Sequence, residues 1–154
     1  MKVLFVCLGN ICRSPSAEGV FSKILEAQGL QDRVEVDSCG IGDWHIGKAP
    51  DARAQQAAMR RGIDISGLRA RQLSEEDFAV FDFILAMDDD NLRAIQAIQP
   101  EGYQGTSCLF LSFADQPDSA VPDPYYGGEQ GFENVLDMIE AASNGLVQHL
   151  RSSL

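Results

Sequence analysis

The amino-acid sequence predicts an α/β protein with three layers, in which helices flank a twisted, four-stranded parallel sheet. Four short apolar runs alternate along the chain with longer segments that have the periodicity of amphipathic helices. Strands that alternate with helices pair in parallel, and the helices cover both faces of the sheet. The 154 residues are enough for one domain with a sizeable core. We therefore expect a single domain over residues 1–154.

The strands are predicted from short apolar runs that Gly, Pro or polar residues interrupt. The first run is almost entirely apolar, which is typical of a strand that is buried on both faces. The predicted strands are Lys2–Cys7, Val34–Cys39, Phe81–Met87 and Cys108–Leu111.

The helices are predicted from apolar periodicity and from residues that favour helix ends. Ser14 has the side chain of an N-cap, Pro15 suits the first helical position, and Gly29 ends this first helix. A short helix is expected after the capping-box pattern Ser-Glu-Glu-Asp at residues 74–77. The other predicted helices are Asp51–Arg61, Asp88–Gln99 and Gly131–Leu150.

The charge of the chain restricts its partners. The sequence has 12 Lys and Arg against 23 Asp and Glu, a formal net charge of −11. A surface of this charge disfavours binding to nucleic acid and to anionic membranes, because both are negatively charged and bind positively charged surfaces. It also repels phosphorylated substrates at long range, so any anion site must be local. No apolar run approaches the roughly 20 residues of a membrane span, and we expect a cytoplasmic protein.

The cysteine spacing gives no sign of a metal site. The four cysteines are Cys7, Cys12, Cys39 and Cys108, without a Cys-x-x-Cys pair or a nearby histidine in a ligand pattern. We therefore expect no metal and no cofactor.

The segment between the first strand and the first helix is predicted to bind phosphate. Its backbone amides can surround an anion, and the helix start adds about half a positive charge. Gly9 and Asn10 tolerate positive φ angles, and Arg13 offers a planar fork to two phosphate oxygens. This setting favours the thiolate of Cys7, to which Ser14 can donate. Cys7 would otherwise be an ordinary buried strand residue. The predicted loop comprises Leu8, Gly9, Asn10, Ile11, Cys12, Arg13 and Ser14.

These residues resemble the low-molecular-weight protein tyrosine phosphatases. The resemblance runs over nearly the full chain, and its first and last motifs are highly specific in combination. It implies a two-step reaction through a phosphocysteine on Cys7, with Arg13 binding the phosphate. The motifs are Val3–Glu18, Ser38–Gly40, Ala70–Gln72, Ala86–Asp88 with Asn91-Leu92, and Asp123–Tyr126.

The resemblance also assigns the acid and the residues around the loop. Asp123 lies between two prolines and matches the general acid that later serves as the base; without the Cys7 loop, an ordinary turn aspartate would be the simpler interpretation. Asn10 is expected to bond Ser14 and Ser38, and Asp88 to support the loop from outside. Leu68 stands where many relatives have a histidine. The residues that match the walls of the substrate cleft are Leu8, Trp44, His45, Tyr125 and Tyr126.

Several functions compete on this fold. Arginine phosphatases of the same fold carry Thr where this chain has Ile11, which favours phosphotyrosine. Arsenate reductases need a close pair of downstream cysteines, and Cys39 and Cys108 do not form one. A phosphate-binding or redox-sensing protein without catalysis could dispense with Asp123.

The resemblance implies a phosphotyrosine-containing protein as the substrate and a monomer with weak self-association. In a bacterium it suggests a tyrosine kinase of polysaccharide export as that substrate. Cys12 lies five positions after Cys7, and a disulfide between them would protect Cys7 from irreversible oxidation.

Overall fold

A four-stranded parallel sheet forms the centre of the molecule, as the sequence predicts. The computed structural model describes residues 1–114, 120–124 and 128–154. Every pair of neighbouring strands is parallel, and the order across the sheet is β2-β1-β3-β4. The strands are β1 Lys2–Cys7, β2 Glu35–Gly40, β3 Phe83–Ala86 and β4 Thr106–Leu109.

Helices connect the strands and cover both faces of the sheet. None of the helices in the described ranges is long and apolar enough to cross a membrane. The helices are α1 Arg13–Ala27, α2 Ala52–Arg60, α3 Asp77–Val80, α4 Asp89–Ile98 and α5 Glu129–Arg151.

Most element ends differ from the predictions by one or two residues, as where β3 begins at Phe83 and not at Phe81, and two of the differences have a clear physical reason. Helix α1 begins at Arg13, so Ser14 is inside the helix and is not its N-cap. The Ser14 hydroxyl contacts the Cys7 sulfur instead of a backbone amide of the helix. Strand β4 ends at Leu109, and a 3-10 helix, Phe110–Phe113, follows where a strand was expected. The turn carries the Phe110 ring under the sheet, with its centroid 4.8 Å from that of Phe5.

Strand β1 separates two apolar clusters. Val3 and Phe5 point to the face covered by α1, α2 and α5, while Leu4 and Val6 point to the face covered by α3 and α4. Successive side chains of a strand alternate between faces, so a central strand with helices on both sides needs apolar residues throughout. This burial explains the uninterrupted apolar run at the start of the sequence.

The strand order reverses between β1 and β3, and this point positions the loop that follows β1. The connections from these two strands lead to opposite sides, which leaves a crevice at their carboxyl ends. Cys7 is the last residue of β1 and therefore lies at that crevice.

The loop after β1 lies against the end of β2. Cys7 and Leu8 accept hydrogen bonds through their carbonyls from the N–H groups of Ile41 and Gly42, both at 2.9 Å. Gly40 immediately precedes these two donors and lies directly opposite Cys7 in the sheet. A Cβ atom on Gly40 would lie 3.0 Å from backbone atoms of the loop, including the Leu8 carbonyl oxygen. Glycine suits this position because the two backbones approach so closely that a side chain would crowd the loop.

Gly40→Ala should move the loop or weaken the fold, because backbone atoms cannot yield as a flexible side chain can. We expect a loss of about 1–3 kcal/mol in the free energy of unfolding, measured by urea denaturation. Gly67→Ala is the matched control, since Gly67 is exposed, has no positive φ, and would place its Cβ atom more than 4 Å from any neighbouring heavy atom. Equal unfolding midpoints for the two variants would contradict the close approach.

Candidate functional site

The Cys7 sulfur is the centre of the loop. The residue is buried, and its Sγ accepts a hydrogen bond from the backbone N–H of Asn10 at 3.3 Å. The hydroxyl oxygen of Ser14 lies 3.0 Å from the same sulfur. Hydrogen-bond donors directed at a sulfur stabilise its thiolate form, which is the nucleophilic form of cysteine.

The side chain of Asn10 holds the loop in this shape. Its Nδ2 donates to Ser14 Oγ at 2.8 Å and to Ser38 Oγ at 3.0 Å. Its Oδ1 accepts from the backbone N–H of Arg71 at 3.0 Å. Asn10 has a φ of 58°, the one positive φ outside glycine in the described ranges. Asparagine tolerates this left-handed conformation better than most residues, and the three bonds offset its cost.

Gly9 does not have the positive φ that its sequence position suggested. Its lack of a side chain serves another purpose, because a Cβ atom there would lie 2.9 Å from Cδ2 of His45. The prediction of a left-handed turn is therefore wrong for Gly9, and the residue instead makes room for the His45 ring.

Arg13 is a buried cation that a carboxylate and a backbone carbonyl hold by hydrogen bonds. Its side chain is 3% exposed, and Nη1 donates to Asp88 Oδ2 at 2.6 Å and to the Val121 carbonyl at 3.1 Å. Asp88 also caps helix α4 by accepting from the N–H of Asn91 at 2.8 Å. A buried guanidinium needs such partners, because an unpaired charge in the interior is costly. Asp88 thus has both roles considered from the sequence, as a cap and as a support of the loop.

Asp123 reaches the same site from the other end of the chain. Its Oδ2 lies 3.7 Å from Arg13 Nη2, and its side chain is 42% exposed. Val121, two residues earlier, donates its N–H to the Met87 carbonyl at 2.7 Å. This bond ties the segment before Asp123 to the chain that leaves β3.

The loop and Asp123 together border a cavity of about 290 Å³, which is near the lower end of the range for small-molecule sites. Trp44 and Leu8 stand at its rim, where they are 63% and 44% exposed. The predicted loop and cleft residues within the described ranges therefore lie together, at or next to this cavity. The other two predicted cleft residues, Tyr125 and Tyr126, lie outside the described residues. The lining residues are Cys7, Leu8, Gly9, Ile11, Cys12, Arg13, Trp44, His45 and Asp123.

Cys12 shares the cavity with Cys7 but differs from it electrostatically. Burial, followed by the negative charge of Asp51, raises the pKa of the Cys12 thiol well above its ordinary value. Cys12 therefore stays protonated at neutral pH. Both cysteines are free thiols.

Two further residues, Arg71 and Glu18, support the loop but were not predicted as site residues from the sequence. Arg71 donates its backbone N–H to Asn10, while its guanidinium pairs with Asp77 and Asp37. Glu18 accepts a hydrogen bond from Ser38 Oγ at 2.7 Å. Arg71 belongs to the motif Ala-Arg-Gln, which was the available signal. Glu18 is the last residue of the first motif, but nothing in that motif indicates its link to Ser38.

The described part of the chain contains no group of three or more His, Cys, Asp or Glu side chains that could hold a metal ion.

Comparison with known proteins identifies the family. The family model "Low molecular weight phosphotyrosine protein phosphatase" matches residues 2–154. A protein of that name from Schizosaccharomyces pombe is 46% identical over 95% of this chain and 95% of its own. A protein tyrosine phosphatase from Entamoeba histolytica has a similar structure, with a TM-score of 0.95, 39% identity and coverage of 99% and 98% of the two chains. A Drosophila arginine phosphatase is also similar, with a TM-score of 0.91, 35% identity and coverage of 98% of each chain. This chain therefore belongs to the low molecular weight phosphotyrosine protein phosphatase family.

Proposed function

We propose that this protein hydrolyses phosphotyrosine in proteins, with Cys7 as the nucleophile, Arg13 and the loop amides as the phosphate-binding groups, and Asp123 as the acid. One observation carries the proposal. A sulfur that accepts a backbone N–H bond, a buried guanidinium and a carboxylate all border one cavity. Nucleophilic catalysis on a phosphoryl group needs these three kinds of group.

In the first step, the Cys7 sulfur attacks phosphorus while the bond from phosphorus to the phenolic oxygen breaks. Asp123 gives its proton to that oxygen, because a tyrosine phenol has a pKa of about 10 and leaves poorly as an anion. Arg13 and the backbone amides of Leu8–Arg13 stabilise the charge on the equatorial oxygens. The products are a free tyrosine side chain and a phosphocysteine.

In the second step, water hydrolyses the phosphocysteine. Asp123, now a carboxylate, accepts a proton from the attacking water, and the new bond from oxygen to phosphorus displaces the Cys7 thiolate. Inorganic phosphate leaves, and Asp123 is again protonated. The hydrogen bonds from Ser14 and Asn10 lower the cost of this thiolate as a leaving group.

The walls of the cavity favour an aryl phosphate. Trp44, His45 and Leu8 border the space above Cys7, and offset aromatic pairs contribute about 0.5–1.5 kcal/mol beyond the area that they bury. The similarity to an arginine phosphatase makes phosphoarginine the second candidate substrate. Ile11 offers no hydroxyl to orient attack on a phosphoramidate, and we therefore favour phosphotyrosine.

The surroundings of the reaction are part of the proposal. We infer one domain over residues 1–154, a monomer with weak self-association, and no metal or cofactor in the reaction. The four free thiols fit a reducing compartment such as the cytoplasm. A phosphorylated tyrosine kinase is among the protein substrates that this site would accept.

Asp123→Ala should lower kcat on a phosphotyrosine peptide by about 10²–10⁴-fold, because the phenolate would leave without a proton. The loss should be much smaller on an aryl phosphate whose phenol is acidic, and Cys7→Ser should abolish turnover of both substrates. Steady-state kinetics on the two substrates measure this difference. Asp43→Ala is the control, since Asp43 is an exposed aspartate beside Trp44 and should retain wild-type rates.

The outcomes separate the competing functions. Asp123→Ala with wild-type kcat on the peptide would show that the acid is assigned wrongly. Faster turnover of phosphoarginine than of phosphotyrosine would identify phosphoarginine as the preferred substrate. Reduction of arsenate without phosphatase activity would identify the protein as an arsenate reductase.

We also propose that Cys12 protects Cys7 from permanent oxidation. Peroxide oxidises the Cys7 thiolate to a sulfenic acid and is reduced to water. The Cys12 sulfur then attacks the Cys7 sulfur, a disulfide forms and water leaves. The high pKa of the Cys12 thiol makes this second step slow, because Cys12 must lose its proton before its sulfur can attack.

Wild-type protein treated with peroxide should therefore recover its activity in dithiothreitol, whereas Cys12→Ser should lose it permanently. Recovery of aryl-phosphate hydrolysis and the mass of the Cys7 peptide are the measurements. Cys108→Ser is the control, because Cys108 lies on β4 and does not line the cavity. Equal recovery by wild type and Cys12→Ser would exclude the protective role.

A further inference from the structure

A continuous chain of hydrogen bonds joins Glu18, on the back of helix α1, to the Cys7 sulfur. Ser38 Oγ donates to Glu18 Oε1 at 2.7 Å, and Asn10 Nδ2 donates to Ser38 Oγ at 3.0 Å. The same Asn10 nitrogen donates to Ser14 Oγ at 2.8 Å, which lies 3.0 Å from the sulfur. The chain thus connects a carboxyl group outside the substrate cavity with the proposed nucleophile.

The direction of each bond follows from Asn10. Its Oδ1 accepts from the Arg71 backbone, so its NH₂ group must face the two serines and donate to both. Ser38 therefore accepts from Asn10 and uses its own proton for Glu18. Ser14 likewise accepts from Asn10, and its proton can go only to the Cys7 sulfur or to the Cys39 carbonyl, which lies 3.3 Å away. The arrangement is complete when the group at each end is an acceptor.

Glu18 borders a second cavity, of about 320 Å³, which Leu68 also lines. Lys23, Glu26 and Asp64 are the other charged residues around this cavity, and Lys23 donates its ammonium proton to the Arg61 carbonyl at 2.7 Å.

Burial is the main influence on the Glu18 carboxyl and raises its pKa to about 7. The Ser38 hydrogen bond and the positive charge of Arg71 lower the pKa, and the negative charge of Asp37, on β2, raises it. Glu18 therefore changes its charge within the range of physiological pH.

We propose that Glu18 is a positioning residue whose ionised carboxylate strengthens the hydrogen bonds that hold Asn10 and, through it, Ser14 beside Cys7, and whose protonation weakens them. A carboxylate can only accept, so it obliges Ser38 to donate outward and to leave its lone pairs to Asn10. A protonated carboxyl can itself donate to Ser38, which turns the Ser38 proton toward Asn10 and weakens that bond. The inference rests on the proposed phosphatase reaction for its effect on rate, but the coupling itself does not require catalysis.

The first test observes the chain without any substrate. In a ¹⁵N-labelled sample, the side-chain amide resonances of Asn10 should shift with a midpoint near pH 7 in the wild type. This step should vanish in Glu18→Gln, which keeps the shape and cannot ionise. Glu26→Gln is the control, because Glu26 lies on the same helix and lines the same cavity, and it should keep the wild-type step. A step that persists in Glu18→Gln, or none in the wild type, would overturn the proposal.

The second test measures the effect on the reaction. The ratio of kcat/KM between wild type and Glu18→Gln should be near 1 at pH 5.5 and rise to about 3–10 at pH 8.5, since hydrogen bonds to charged acceptors are roughly twice as strong as neutral ones. Ser38→Ala should be impaired without the step near pH 7. A loss in Glu18→Gln that is equal at every pH would indicate a purely structural role and would refute the proposal. If wild type hydrolyses no aryl phosphate, the proposed function fails, and the Asn10 resonances still decide the coupling.

The pH dependence of stability is a third test. Ionisation of Glu18 should lower the stability of the fold, although it should raise the rate of the reaction. A carboxyl whose pKa is higher in the folded state than in the unfolded state binds its proton more tightly when folded. Its contribution to stability is complete below the unfolded pKa, near 4.5, and is lost as the pH rises through about 7. The unfolding midpoint of wild type should therefore fall relative to that of Glu18→Gln over this range. A constant difference between the two proteins would show that Glu18 does not titrate there.

Discussion

The hydrogen bonds of the Asn10 side chain are the interaction on which the site depends. Asn10 has the left-handed backbone that turns the loop inward, and its own amide then joins this turn to Ser14, Ser38 and Arg71. These partners belong to three different parts of the chain, so the shape of the loop depends on contacts with both the sheet and its flanking helix. A site held in this way is pre-formed and would need little reorganisation to bind the proposed anion.

The burial of a cation in an acidic protein follows from the same reliance on short-range contacts. With a net charge of −11, the surface offers no general attraction for phosphate. Arg13 is placed beneath the surface, where water screens its charge less, and Asp88 and the Val121 carbonyl hold one of its nitrogens. In the proposed function, affinity for a phosphoryl group would thus come from a few groups close to the anion. A protein of this charge should bind phosphorylated partners more readily as salt screens the long-range repulsion.

The sequence predicts the sheet well because the reasons for each strand are local. A run of apolar residues such as Val3–Val6 has few alternatives to a buried strand, and the loop that follows has its functional residues within eight positions. The prediction of Ser14 as an N-cap is wrong because its hydroxyl contacts the Cys7 sulfur, which only the folded loop brings near. The prediction of a positive φ at Gly9 is wrong because the residue instead makes room for His45, which is far along the chain. Glu18 and Arg71 were not assigned to the site because their contacts with Ser38 and Asn10 join residues 20 and 61 positions apart.

The hydrogen bonds of Val121 couple the position of the proposed acid to that of Arg13. The Val121 N–H donates to the Met87 carbonyl and the Val121 carbonyl accepts from Arg13, so the residues before Asp123 are joined at one point to the chain that leaves β3 and to the proposed phosphate-binding residue. The position of Asp123, two residues later, is therefore linked to β3 and to Arg13 through the two bonds of Val121. A substitution that displaces Met87 or Arg13 should shift the proposed acid as well, even though neither residue is near Asp123 in the sequence.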